Sequence, residues 1–152
     1  MPRVKIGVIG CGTIAQIQHM PNLADLHDLY DVAVVCDLSA KAAEYVAAKF
    51  HVPRAVTDYR AVLDSDVDAV LHCAGAHKTP VVMDALQAGK HLFVEKPLCV
   101  SVEDAEGIVA AAEAAGVVAQ VGYMKLYDPA YEYAQREVAA MSDPRFIQVN
   151  HL

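Results

Sequence analysis

The chain has 152 residues, a formal charge of −7, 55% apolar residues and four cysteines. A chain of that length buries one sizeable core without crosslinks, and its acidic balance gives no basic field for nucleic acid or an anionic membrane surface. No stretch reaches the roughly 18 uninterrupted apolar residues of a membrane helix and the N-terminus lacks a signal-peptide apolar core, so the expected setting is cytoplasmic, with neither nucleic acid nor membrane as partner.

The first stretch, Val4 to Ala15, reads as a buried strand, a glycine turn and the opening of a helix. Val4, Ile6, Val8 and Ile9 are strand formers; Gly10 takes the turn, Gly12 lets the backbone approach a diphosphate, and Ala15 is small enough for the helix to pack against the strand. A helix start offers unpaired N–H groups and a positive dipole end to an anion, which makes Gly10, Gly12, Thr13 and Ile14 the candidate diphosphate-side positions. Gln16 to Leu29 supplies the helix and its exit. Asp31 to Asp37 then reads as a second strand ending in an acid, roughly 20 to 25 residues past the turn, where a carboxylate accepts hydrogen bonds from the adenosine ribose hydroxyls. That carboxylate repels a ribose phosphate, so Asp37 favours NAD over NADP. The alternative is a sheet of the same kind whose glycines serve only backbone geometry.

Ser39 is placed to cap a helix over residues 41–49, which Pro53 ends. Ala55 to Thr57 is a short third strand and Asp58 to Leu63 a short helix. Asp64, Ser65, Asp66 and Asp68 form an acidic connection, read as solvated rather than metal-binding. Val67 to Cys73 is the fourth strand, followed by the loop Ala74-Gly75-Ala76-His77-Lys78 and by Thr79-Pro80 as N-cap and first helical residue. The small residues Ala74 and Gly75 let the backbone pass close to a cofactor; His77 is weighed as a nicotinamide-side contact against an ordinary exposed loop histidine. Gly89 closes that helix in a left-handed conformation, and His91 to Glu95 is a fifth strand running into Lys96-Pro97. Ser101 and Asp104 have capping-box spacing before the helix Val102 to Ala115, which Gly116 ends; Val117 to Val121 is the sixth strand. Asp128 caps a helix starting at Pro129, and residues 145–150 read as a further strand. Cys11, Cys36, Cys73 and Cys99 show no C-x-x-C spacing and read as packed free thiols, with no metal expected.

Short, wholly apolar strands alternating with alanine-rich helices predict an α/β fold: a Rossmann-type doubly wound parallel sheet, helices on both faces, its ligand crevice beyond the carboxyl ends of the strands. The turn at Gly10 to Gly12, Asp37, the loop Ala74 to Lys78 and Lys96 all fall there.

Three stretches, G-C-G-T-I-A at 10–15, A-L-Q-A-G-K-H-L-F-V-E-K-P-L at 85–98 and G-Y-M-K-L-Y-D-P-A-Y at 122–131, together resemble the oxidoreductase family grouped under glucose–fructose oxidoreductase, inositol dehydrogenase and rhizopine-catabolism proteins (Gfo/Idh/MocA). The resemblance implies a dinucleotide-binding domain over 1–121, with 122–152 as a crossing helix and the first strand of a second α/β domain that is largely absent. It implies that Glu95-Lys96-Pro97 lies beside nicotinamide and substrate. Lys96 would be the catalytic residue, binding the nicotinamide ribose or a substrate hydroxyl and assisting the proton movement that accompanies hydride transfer, and Glu95 would orient it. An ammonium at the crevice can stabilise developing alkoxide charge, so the chemistry agrees; the plain alternative is a solvated or ion-paired lysine. Many relatives carry Thr-Pro-Asn after the fourth strand, with a histidine a few positions on, where this chain has Cys73-Ala74-Gly75 and then His77-Lys78. Tyr123 and Lys125 are expected at the mouth and Tyr127 in the domain crossing, while Leu126 stands where many relatives have a polar or basic residue.

The implied activity is NAD-dependent hydride transfer to or from a sugar, cyclitol or related polyol, the family's substrate-binding acid and histidine lying further along than this chain runs. A non-catalytic dinucleotide-sensing or partner-binding domain is the alternative, an acyl, imine or halogenated substrate a third reading. A homo-oligomer through the strand at Phe146 to Val149 stays open.

Overall fold

Six strands form one parallel sheet in a computed structural model that describes residues 2–75, 78–143, 145, 146 and 148. They are β1 (Val4–Ile9), β2 (Tyr30–Cys36), β3 (Ala55–Val56), β4 (Ala69–His72), β5 (His91–Val94) and β6 (Ala119–Val121), in the order β3-β2-β1-β4-β5-β6. The chain works outward from β1 to one edge, then crosses over to β4 and works outward to the other. That reversal between β1 and β4 opens a crevice at their carboxyl ends.

Side chains alternate across each strand, and those of the central strands bury on both faces. Ile6, Val8, Val35 and Leu71 pack with Met20 of α1 (Met20–Asp25) and with Ala43 and Val46 of α2 (Ala40–Phe50). Ile9, Val34, Val70, Leu92 and Val94 pack on the other face with Val62 of α3 (Arg60–Leu63), Val82 and Leu86 of α4 (Thr79–Gln87) and Ile108 of α5 (Val102–Ala115). The chain divides into Met1–Gly122, which holds the sheet, and Tyr123–Leu152. The second unit contains a 3-10 turn at Met124–Tyr127 and α6 (Pro129–Ala139), whose first turn is capped by Asp128 accepting from the Ala130 N–H at 3.0 Å. Among the described residues no helix is long and apolar enough to cross a membrane.

Local signals set most boundaries. Ser39 accepts from the Ala42 N–H at the start of α2, Ser101 accepts from the Asp104 N–H at the start of α5, and Gly89 and Gly116 end their helices with φ of +68° and +65°. Several boundaries differ from expectation. The first helix is a π-helical turn, Ala15–His19, followed by a short α1, with a turn over 26–29 in place of further helix. His51, at φ +57°, ends α2 two residues before Pro53, because a left-handed residue already breaks the ladder. Thr79 is helical rather than capping: Lys78 occupies the cap position and no side chain caps the turn. Strands four and six are shorter at their amino ends, β4 starting at Ala69 and β6 at Ala119. The expected strand at 145–150 lies largely outside the described residues.

Candidate functional site

One row of backbone hydrogen bonds crosses the carboxyl edge of the sheet. Asp37 N–H donates to the Val56 carbonyl at 3.2 Å, Gly10 to Cys36 at 2.8 Å, Cys73 to Ile9 at 2.7 Å, Glu95 to His72 at 2.9 Å and Gly122 to Val94 at 2.8 Å. Each strand therefore releases its chain at the same level, and the residues just beyond it line one edge.

Two glycines shape the turn after β1 differently. Gly10 has φ +98°, and a Cβ there would lie 2.4 Å from the Ala74 nitrogen, so it is fixed by conformation and by the backbone of the β4 loop. A Cβ on Gly12 would meet nothing within 4 Å among the described residues. Gly12, Thr13 and Ile14 are exposed, in front of a first helical turn whose amides seek acceptors. Gln16 steadies the turn by donating from Nε2 to the Cys11 carbonyl at 2.7 Å.

Asp37 stands one residue beyond β2 and faces this turn. Its Oδ2 accepts from the Cys11 N–H at 2.8 Å and its Oδ1 from the Ser39 N–H at 2.9 Å. Each carboxylate oxygen has a second lone pair, so the fixed carboxylate keeps acceptor capacity for hydroxyls. Ala74 is half-buried against Gly10 and Gly75 is exposed; His77 lies outside the described residues.

Beyond β5, Glu95 is gripped from three directions. Its Oε1 lies 2.8 Å from His19 Nε2, its Oε2 accepts from the Lys96 N–H at 3.1 Å, and its carbonyl accepts from the Lys78 ammonium. Lys78 also donates to the Pro97 carbonyl at 3.0 Å and is only 5% exposed. Burial holds the Lys78 pKa below the usual lysine value, with Lys96 pushing the same way and Glu95 opposing. The Lys96–Pro97 bond is cis, and the Lys96 side chain is exposed at the crevice. His72, beneath this loop, is 2% exposed, and its Nδ1 has no hydrogen-bond partner among the described residues; burial and then Lys78 lower its pKa to about 4, so it is neutral near pH 7.

Cys11, Cys36 and Cys73 are buried free thiols. Burial raises Cys11 and Cys73 to about 12 and Cys36 to about 11, which keeps them protonated and poorly nucleophilic. Cys99 is free and half-buried. The acidic connection is tied down in part: Lys5 pairs with Asp66, and its N–H donates to Asp68 at 2.8 Å.

Sequence reasoning brought the turn, Asp37, Glu95 and Lys96 to one edge but passed over His19 and the clamping role of Lys78. Lys78 had a legible signal, because Lys78, Val82 and Ala85 share the i, i+4, i+7 spacing of a buried helix face. His19 had only its i+4 distance from buried Ala15.

The sheet order, the open glycine turn and the acid after β2 define a dinucleotide-binding domain of the doubly wound class. Residues 4–123 match the family model described as "Oxidoreductase family, NAD-binding Rossmann fold", and the chain belongs to this Gfo/Idh/MocA family. It is 38% identical over 154 aligned residues to an inositol 2-dehydrogenase of Paracoccus denitrificans, covering 97% of this chain and 45% of the relative. It is 32% identical to a 4-carboxy-2-hydroxymuconate-6-semialdehyde dehydrogenase of a Sphingobium species, over 90% of this chain and 44% of the relative. Among solved structures, the 3-ketoreductase KijD10 of Actinomadura kijaniata in complex with NADP matches with a TM-score of 0.82 at 28% identity, over 91% of this chain and 44% of that one. The chain thus spans about half the length of the relatives it matches.

Proposed function

We propose that this chain is the cofactor-binding half of an NAD-dependent dehydrogenase acting on a sugar, cyclitol or related polyol, working in the cytoplasm. The observation that carries the reading is the shared level of Asp37 and Lys96 on one carboxyl edge, with an open glycine turn between them. Gly10, Gly12, Thr13 and Ile14 would hold the diphosphate, Asp37 the adenosine ribose, and Ala74, Gly75, His77, Glu95 and Lys96 the nicotinamide end. Bound NAD would supply the hydride acceptor. Lys96 would hold the substrate oxygen and steady the charge that develops as its proton leaves, an electrostatic role suited to an exposed ammonium on a fixed loop. Residues 123–152 would begin the substrate domain. The inositol 2-dehydrogenase resemblance supports the polyol class.

Calorimetric titration of this chain with NADH and NADPH tests the cofactor assignment. NADH is expected to bind about ten-fold more tightly, because the Asp37 carboxylate excludes a second anion. Equal or inverted affinities would remove the role of Asp37, and failure to bind either nucleotide would remove the reading. In a polypeptide that carries this segment and turns over a polyol, Lys96→Ala is expected to lower kcat by about 100-fold or more.

A further inference from the structure

We propose that His19 is a positioning residue for Lys96, acting through Glu95, so that the first crossover holds the lysine end of the crevice in place. The inference rests on the nicotinamide-side reading of Lys96 given above.

His19 is the last residue of the π-helical turn, in which the Met20 N–H reaches back five residues to the Ala15 carbonyl. Such a widened turn shifts the residues that follow it round the helix and often marks a functional site. Here the His19 ring meets Phe93 edge-on, with centroids 5.7 Å apart and planes at 68°, and its Nε2 reaches Glu95 at 2.8 Å. Both side chains are largely shielded, at 16% and 14% exposure. The opposite side is tight as well: a Cβ on Gly122 would come within 3.0 Å of the Phe93 ring and 3.6 Å of Glu95 Oε1.

Glu95 therefore has one carboxylate oxygen on His19 and the other on the Lys96 N–H, while Lys78 holds its carbonyl. Side chain and main chain are fixed independently, and both constraints converge on the residue that presents Lys96. The path from the glycine turn through the π-turn to His19, Glu95 and Lys96 is continuous, so the two ends of the crevice share one support. A purely structural pair would serve the sheet alone and would affect every ligand of the domain alike. A positioning pair affects only ligands that reach Lys96.

The experiment compares binding of NADH and of ADP, which lacks both the nicotinamide and its ribose, to the 152-residue chain and its His19→Leu, His19→Gln, Glu95→Gln, Lys96→Ala and His19→Leu/Lys96→Ala variants. His19→Leu is expected to weaken NADH about five-fold, within the range for residues that modulate a site without touching its ligand, and to leave ADP within two-fold. His19→Gln, which can still donate to Glu95, is expected to restore NADH binding, and Glu95→Gln, nearly the same shape, to reproduce the loss. The double variant is expected to bind NADH no worse than Lys96→Ala alone, because one removes what the other positions. Equal loss of NADH and ADP, no loss of either, or additive losses would overturn the proposal; if His19→Leu fails to fold, the His19→Gln and Glu95→Gln results decide it. A Lys96→Ala variant that binds NADH like the parent would instead remove the underlying reading of Lys96.

Discussion

Gly10 and Gly12 sit two positions apart in the same turn, yet opposite outcomes are expected on adding one methyl group. Gly10→Ala forces a side chain into φ +98° and against the Ala74 backbone, and should destabilise the fold by about 2–4 kcal/mol in urea titrations. Gly12→Ala places its methyl group with no described atom within 4 Å, so its urea midpoint should match the parent while its NADH affinity falls. Loss of stability in Gly12→Ala would mean that this glycine serves the backbone alone. His72 offers a different residue-scale test. Its folded pKa of about 4 lies below the ordinary histidine value of 6.5, so on acidification the unfolded chain takes the proton first and stability falls between about pH 6.5 and 4. The loss is about 1.4 kcal/mol per pH unit and about 3 kcal/mol in all. His72→Met, similar in size and unable to take up a proton, should flatten that limb relative to the parent; an unchanged limb would place the acid sensitivity in the carboxylates.

At the scale of elements, the crossover helix α3 is held close to β1 by the absence of a side chain on Gly7. A Cβ there would lie 2.3 Å from Val62 Cγ1, and Val62 is fully buried. Gly7→Ala should therefore destabilise by about 1–3 kcal/mol through overpacking, and Val62→Ala in the same chain should recover part of the loss instead of adding its own cavity cost. Additive penalties in denaturant titrations would mean the two elements do not press on each other. The start of α5 gives a smaller effect: Ser101→Ala removes the acceptor for the Asp104 N–H and should cost about 1 kcal/mol.

Across the whole molecule, the crevice exists because the strands release their loops at one level. Asp37 belongs to the end of β2 but holds the turn after β1, so its charge and its two backbone contacts act together. Asp37→Ser should lower the NADH preference over NADPH about ten-fold while costing stability, because a hydroxyl lacks the charge and cannot accept both amide bonds in the same way. The Gly10 to Ala15 motif, the acid after β2, the caps at Ser39, Ser101 and Asp128 and the glycine ends at Gly89 and Gly116 were legible because each is a local rule written within a few residues.

The sequence by itself determined the alternation of strands and helices, the parallel sheet and the residues that meet at its carboxyl edge. Apolar periodicity, turn residues and crossover handedness are local or topological constraints that leave few other arrangements. Only the tertiary structure decided that His19 reaches Glu95 across 76 positions, that Lys78 clamps the loop of Lys96, and that His72 is sealed beneath it. Those contacts depend on how a widened helical turn and two sheet faces pack in space, and a side chain's partner across a folded sheet leaves no mark on its neighbours in the chain.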